Sequence, residues 1–305
     1  MSPPPDAERT IRPAIPIDLG LTLGLLRRGR ADPCMRIGPD GVWRATRTPA
    51  GPVTTRITAG AGGLTMRAWG AGSSWAVDAF PALVGAGDDG GGFVPRDPVV
   101  RDLHRSLPGV RIPRSAAVVE ALVPSILEQK VVGLEARRSY ARLVRALGEP
   151  APGPPEAWLT LPPGPATLAR MPYHVFHRFG VERKRADAVR AACSYAHRLE
   201  ETVAMAPAAA ARRLTALPGV GPWTAAEVAR VALGDTDAVS VGDYHLPHQV
   251  AWALAGEARA DDSRMLELLE PYRGHRARVV RLIECAGVVA PRFGPRMPLR
   301  SIASI

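Results

Sequence analysis

The pattern of apolar and polar positions changes rhythm near residue 98. Before it, short alternating runs cover Val42–Arg47, Val53–Thr58 and Leu64–Trp69, separated by Gly/Pro turns. A period of two places successive side chains on opposite faces and predicts strands. A helical stretch over Leu19–Arg28 precedes them, so residues 1–98 read as a small α+β N-terminal domain. Beyond that point the spacing is helical throughout. It predicts helices at Val99–Leu107, Ser115–Gln129, Leu134–Leu147, Arg183–Leu199, Pro207–Ala216, Pro222–Leu233, Leu246–Leu254, Ser263–Glu270 and His275–Ala286. No strand pattern interrupts the series, and residues 99–305 read as all-α. Gly85–Gly92, GAGDDGGG, does not read as a packed element and sets the boundary near 90–98, whereas Pro150–Pro165 reads as a loop inside the second part.

Composition narrows the class. Of 305 residues, 46% are apolar and 22% charged, which is globular rather than disordered. The longest strongly apolar run, Leu19 to Leu26, is far short of the roughly 20 residues that span a bilayer. Met1–Thr10 has no apolar stretch after it and does not read as a signal peptide. Cys34, Cys193 and Cys285 are too scattered for a disulfide framework, a four-cysteine zinc site or an iron–sulfur cluster. The expectation is a soluble, cytoplasmic protein, associated with the nucleoid in a bacterium, with no membrane contact. The formal net charge is +10, and residues 99–305 carry most of the surplus, which favours a polyanionic partner. Lys130 and Lys184 are the only lysines, a bias that a GC-rich coding sequence produces.

One stretch concentrates the chemistry: ARRLTALPGVGPWTAAEVARVAL, residues 211–233. A helix ends at Leu217, a Pro-Gly-Val-Gly turn follows, and Pro222 opens the next helix at no hydrogen-bond cost. Gly219 and Gly221 leave the turn bare of side chains, so backbone N–H groups can approach a ligand. The unpaired N–H groups and dipole of the new helix add to an anion site suited to a nucleic-acid phosphate. A tight helix–helix turn accounts equally well for this motif by itself.

The hairpin at 214–233, with an aspartate 22 residues past Gly221 in VSVGDYHLPHQV, resembles the helix-hairpin-helix glycosylase superfamily, and within it the 3-methyladenine DNA glycosylase II (AlkA-like) family. The likeness extends to VPSILEQKVVGLEARRSYARLVRALG (123–148), GVERKRADAVRAA (180–192) and LEPYRGHRARVVRLI (269–283). It implies a mainly α fold, an all-α helix-hairpin-helix bundle behind the α+β domain. It also implies a base-excision-repair enzyme acting on double-stranded DNA with damaged bases, as a monomer with no obligate protein partner.

The resemblance puts Asp243 at the catalytic aspartate, where a carboxylate stabilises the positive charge that builds on the sugar as the N-glycosidic bond breaks. Asp243 is equally placed to cap the helix that follows. The phosphate-binding hairpin is Leu217, Gly219, Val220, Gly221, Trp223 and Thr224. Trp223 stands where bifunctional relatives carry a lysine, and it cannot form a Schiff base; hydrolysis without strand cleavage is expected. No cofactor and no side-chain metal site are implied, although the hairpin carbonyls can hold an alkali cation.

Three places depart from the family pattern. Glu227 stands where the pocket has an aromatic one turn after Trp223, and Arg281 at a second pocket aromatic; Trp223, Glu227 and Arg281 are thus the base-pocket candidates. Gln129 and Lys130 stand where an apolar residue wedges into the duplex. Glu227 and Arg281 are expected either to face each other in a polar pocket or to form a solvated ion pair. The alternatives are a catalytically altered DNA- or lesion-binding protein and a glycosylase for oxidised or deaminated bases. His245, His248, His174 and His177 read as capping or packing residues, Trp69 and Trp75 as core, and Arg273 as structural. Arg183, Lys184, Arg185 and the tail arginines Arg292, Arg296 and Arg300 are further phosphate candidates.

Overall fold

In a computed structural model, residues 3–88 and 90–291 are described; Arg292, Arg296 and Arg300 lie outside them. The three alternating runs pair as consecutive hairpins. Strands β1 (Ala7–Ile11), β2 (Met35–Gly38), β3 (Gly41–Thr48), β4 (Gly51–Gly60) and β5 (Gly63–Trp69) form an antiparallel sheet in the order β1-β5-β4-β3-β2. The register aligns Val42, Ile57 and Met66 on one face and Trp43, Arg56 and Arg67 on the other. Helix α2 (Ser73–Leu83) covers the apolar face with fully buried Phe80. On the opposite face Trp69 stacks on Trp43, with ring centroids 5.7 Å apart, under Ala157 of the 150–165 loop. Trp69 is therefore core, and Trp75 packs partly buried against the sheet.

Helix α1 is shorter than predicted. It spans Leu19–Leu23, capped by Asp18 Oδ1 accepting from the Leu21 N–H at 2.8 Å, and Arg27 and Arg28 fall in the turn beyond it. Strands β1 and β2 and helix α2 escape the sequence pattern. AERTI is an edge strand with little alternation, β2 has four residues, and α2 contains Pro81.

The helical part runs α3 (Pro98–Ser106), α4 (Val118–Leu127), α5 (Gly133–Leu147), α6 (Pro165–Arg170), α7 (Tyr173–Arg178), α8 (Arg183–Ser194), α9 (Ala196–Glu200), α10 (Pro207–Thr215), α11 (Pro222–Val228), α12 (Leu246–Ala255), α13 (Asp262–Leu269) and α14 (Arg276–Cys285). The chain is mainly α with an α+β N-terminal portion, as the pattern predicts. Four details correct it. The Pro150–Pro165 loop contains a two-residue ladder, β6 (Glu149–Pro150) against β7 (Thr160–Leu161). Helices α6 and α7 are too short for their periodicity to register. The expected helix at Arg183–Leu199 breaks at Tyr195. Finally, the expected helix at Pro222–Leu233 is α-helical only to Val228 and widens into a π turn over Ala229–Leu233, whose Val231 and Ala232 carbonyls accept the N–H groups of Ser115 and Ala116.

Two separate helical cores result. One surrounds α4, buried along its whole length, with α5, α8, α10 and α11; the other joins α3 to α12, α13 and α14. Glu120 fastens α4 to the sheet: its carboxylate accepts from Thr46 Oγ1 at 2.6 Å, the Arg47 N–H at 2.7 Å and Arg44 Nη2 at 3.0 Å. Glu200 accepts from the Val118 and Val119 N–H groups, both at 2.9 Å, satisfying the first donors of α4. The division near residue 98 is not clean. Cys34 joins the first helical core, Leu25 and Leu26 pack against it, and Leu21 packs against the second. The glycine-rich segment is also anchored, because nearly buried Asp88 pairs with Arg278 and accepts from the Ile112 N–H at 2.8 Å.

Candidate active site

The hairpin between α10 and α11 sits on the first helical core. Gly219 has φ +83 and faces α8, where a Cβ would come within 2.8 Å of the Ala188 Cβ, so both backbone conformation and close approach require glycine. Val220 is buried and anchors the turn, and its N–H donates to the Leu217 carbonyl at 3.1 Å. The Val220 N–H is thus engaged within the turn. The Gly219 and Gly221 N–H groups have no partner within the protein among the described residues. The Gly219 carbonyl accepts from Gln129 and the Leu217 carbonyl from Val220, so these two hairpin oxygens are already engaged where an alkali cation would seek ligands.

Asp243 lies at the seam between the two cores, two residues before the His245 cap of α12. Its Oδ1 accepts from the N–H groups of His245 at 2.7 Å and Leu246 at 2.9 Å, while Oδ2 accepts from Trp223 Nε1 at 2.9 Å. One oxygen therefore caps α12 and the other is held by the hairpin helix. All three partners are neutral donors, and no salt bridge involves Asp243 among the described residues. Trp223 and Glu227, four residues apart, both reach the 240–243 segment, as one helix face allows.

Glu227 and Arg281 do not meet. Glu227 Oε1 accepts from Ser240 Oγ at 2.5 Å and Arg230 Nη1 at 3.1 Å; Arg230 Nη2 forks onto both Glu284 oxygens at 2.9 and 2.7 Å. Arg281 donates to Glu284 Oε2 at 3.3 Å and to the Leu21 carbonyl. No ion pair joins Glu227 to Arg281 among the described residues; Arg230 and Glu284 stand between them. The pair is not solvated either, with Arg230, Arg281, Glu227 and Glu284 side chains 4%, 12%, 17% and 25% exposed. Burial by itself would lower the Arg230 pKa, yet Glu284 and Glu227 hold it above the ordinary value. Arg230, Ser240 and Glu284 escape sequence reading. The available signal was Arg230 three residues after Glu227, on the inner face of its helix.

The two wedge candidates separate. Gln129 Nε2 donates to the Gly219 carbonyl and to Thr224 Oγ1, each at 2.8 Å, and is committed to bracing the hairpin. Lys130 is exposed at the apex of the α4–α5 turn, in the left-handed region at φ +56. Of the remaining candidates, Arg185 is buried and donates to the Leu127 carbonyl at 2.7 Å, Arg183 lies over the Tyr173 ring, and Lys184 is exposed. Arg273 forms an exposed pair with Glu270. His248 Nδ1 accepts from the Ala260 N–H at 3.1 Å, and His245 and His177 lie edge-on to Tyr244 and Tyr173. No cluster of metal-ligating side chains occurs among the described residues, and none of the described helices is long and apolar enough to cross a membrane.

No family model matches the chain. Over 153 residues it is 35% identical to a probable bifunctional transcriptional activator/DNA repair enzyme AlkA of Mycobacterium tuberculosis, a match covering 49% of this chain and 30% of that protein. The chain thus spans less than a third of that relative. The solved 3-methyladenine DNA glycosylase from Archaeoglobus fulgidus matches with a TM-score of 0.74 at 16% identity, covering 91% of this chain and 97% of that one. The Clostridium acetobutylicum 8-oxoguanine glycosylase/lyase, solved with DNA, matches at 0.69 and 12% identity, covering 94% and 97%. These likenesses establish the fold. In fold the chain is thus similar to these solved glycosylases, and over about half of its length it is similar in sequence to the AlkA relative.

Proposed function

We propose that the chain is a monofunctional DNA glycosylase of base-excision repair, which hydrolyses the N-glycosidic bond of an alkylated purine turned out of duplex DNA. The observation that carries this reading is the Asp243 carboxylate, held from two sides and set one hydrogen bond from the hairpin helix. As the C1′–N bond breaks, positive charge builds on the sugar, and a fixed carboxylate in a partly dehydrated seam stabilises it. An alkylated purine is already cationic and leaves without strong acid assistance. Trp223 supplies no amine, so the sugar is not opened.

The Gly219 and Gly221 amides would hold a phosphate and set the register of the duplex, while the arginine surplus adds salt-dependent affinity. Lys130 is the residue we assign to the gap left by the base. Lys130→Gly should leave the fold as stable or up to about 1 kcal/mol more so, because glycine adopts φ +56 freely. It should slow excision from duplex more than from single-stranded DNA; equal effects on both would remove the wedge role.

The decisive assay incubates the protein with methylated duplex DNA. Free alkylated purine and a strand that breaks only after alkali are expected. Strand cleavage without alkali would contradict the monofunctional reading. Binding without release, unchanged by Asp243→Asn, would instead mark a lesion-binding protein.

A further inference from the structure

We propose that Arg28 and Glu128 form a recognition pair that reads the hydrogen-bonding edge of the extruded base, so that the turn after α1 supplies one wall of the pocket. The inference rests on the glycosylase reading above and adds to it two specificity-determining residues.

Glu128 ends α4, and Arg28 lies in the turn that follows α1. That turn is held in place: Asp32 accepts from the Arg28 N–H at 2.7 Å and from the Cys34 N–H at 2.8 Å. Arg28 Nη1 stands 3.8 Å from Glu128 Oε2, with the side chains only 11% and 19% exposed. A dehydrated guanidinium–carboxylate pair ordinarily closes to about 2.7–2.9 Å. Two others here do: Arg230–Glu284 at 2.7 Å, and Arg276–Asp237 at 2.6 Å. Arg28 and Glu128 remain apart, and among the described residues neither side chain makes a hydrogen bond within the protein. Donor and acceptor thus lie side by side, largely shielded from water and without a hydrogen bond to spend on each other, which suits a recognition site.

Their location matches that use. Gln129, next to Glu128, reaches Thr224, and the adjoining Trp223 holds Asp243. Burial raises the Glu128 carboxyl above the ordinary range, Arg28 opposes the shift, and the charges of Glu227 and Asp243 reinforce it. Glu227 and Arg281, by contrast, are already engaged, Glu227 through Oε1 with Ser240 and Arg230 and Arg281 through its Nη atoms with Glu284 and the Leu21 carbonyl.

A guanidinium donor beside a carboxylate acceptor complements an edge with an acceptor next to a donor. Purines carry such an edge as C6=O beside N1–H in the guanine frame, or as N1 beside the N6 amino group in the adenine frame. An adenine bridged across N1 and N6 lacks the donor. The pair would therefore favour a purine whose Watson–Crick edge is open. Buried groups left unpaired by a blocked edge would reject it.

The test compares release of 3-methyladenine, 7-methylguanine and 1,N6-ethenoadenine from duplex DNA by the wild type, Glu128→Gln and Arg28→Gln. The two open-edge bases should lose on the order of ten- to a hundredfold in kcat/KM in the variants, while release of the bridged base should not fall and should rise as the rejection is relieved. A uniform change across all three bases, or none, would overturn the proposal while leaving the glycosylase reading intact. The same duplexes are also bound without turnover in an Asp243→Asn background. There, too, Glu128→Gln should erase the preference for open-edge bases, and an undiminished preference rules the pair out. Absence of release of any base by the wild type would count against the glycosylase reading alone.

Discussion

Asp243→Asn should reduce base release by about 10²–10³-fold or more while leaving thermal unfolding nearly unchanged. The asymmetry follows from the two jobs of one side chain. The amide oxygen of asparagine can still accept from the His245 and Leu246 N–H groups that Asp243 Oδ1 satisfies, so α12 remains capped. The negative charge, however, is gone, and the position next to Trp223 Nε1 passes from an acceptor to an NH2 group that cannot accept the indole proton. Asp243→Ala separates the two roles from the other side. It should abolish release to a similar extent and also cost about 1 kcal/mol through loss of the cap. Base release and thermal denaturation measured on both variants check the pair of outcomes; equal loss of stability in both would show that capping alone explains the residue.

Arg230→Met is the second large effect, and it falls on stability. Arg230 is 4% exposed and lies between two carboxylates, so its removal leaves Glu227 and Glu284 facing each other across a dry space. Breaking one partner from a buried pair costs about 3–5 kcal/mol, corresponding to a fall in Tm on the order of 10 °C. Adding Glu284→Gln to Arg230→Met should restore part of the loss by removing one unpaired charge, a coupling that a double-mutant cycle measures. If Arg230→Met unfolds at the wild-type temperature, the network is not holding α11 to α14. The same arrangement predicts that changing Glu227 to an aromatic disturbs stability, because Ser240 and Arg230 both lose their acceptor.

Sequence and structure agree most closely where function is encoded locally. The Leu217–Trp223 turn is legible because glycine and proline constrain the backbone wherever they stand, whereas Asp243 is singled out by the resemblance and its spacing from the hairpin. The two hairpins that join β3, β4 and β5 are legible for a similar reason: a two-residue period and adjacent turns act over a few positions. Less is legible where a residue's partner is remote. Arg281 contacts the Leu21 carbonyl from 260 positions away, and Glu120 ties α4 to β3 across more than 70. No spacing rule connects such positions.

What the sequence determined by itself was the class of fold and the hairpin turn, since each depends on local backbone geometry and on periodicity; Asp243 it singled out only through the resemblance. Only the tertiary structure decided what the side chains at the seam do. It divided the helical part into two cores, engaged Glu227 and Arg281 with Arg230 and Glu284, turned Gln129 into a brace and left Lys130 at an apex. It also brought Arg28 against Glu128 without letting them close. The physical reason is the same in each case. Burial makes an unpaired charge or donor costly, so partners are chosen among whatever groups packing brings within about 3 Å, and packing is settled by the whole chain at once.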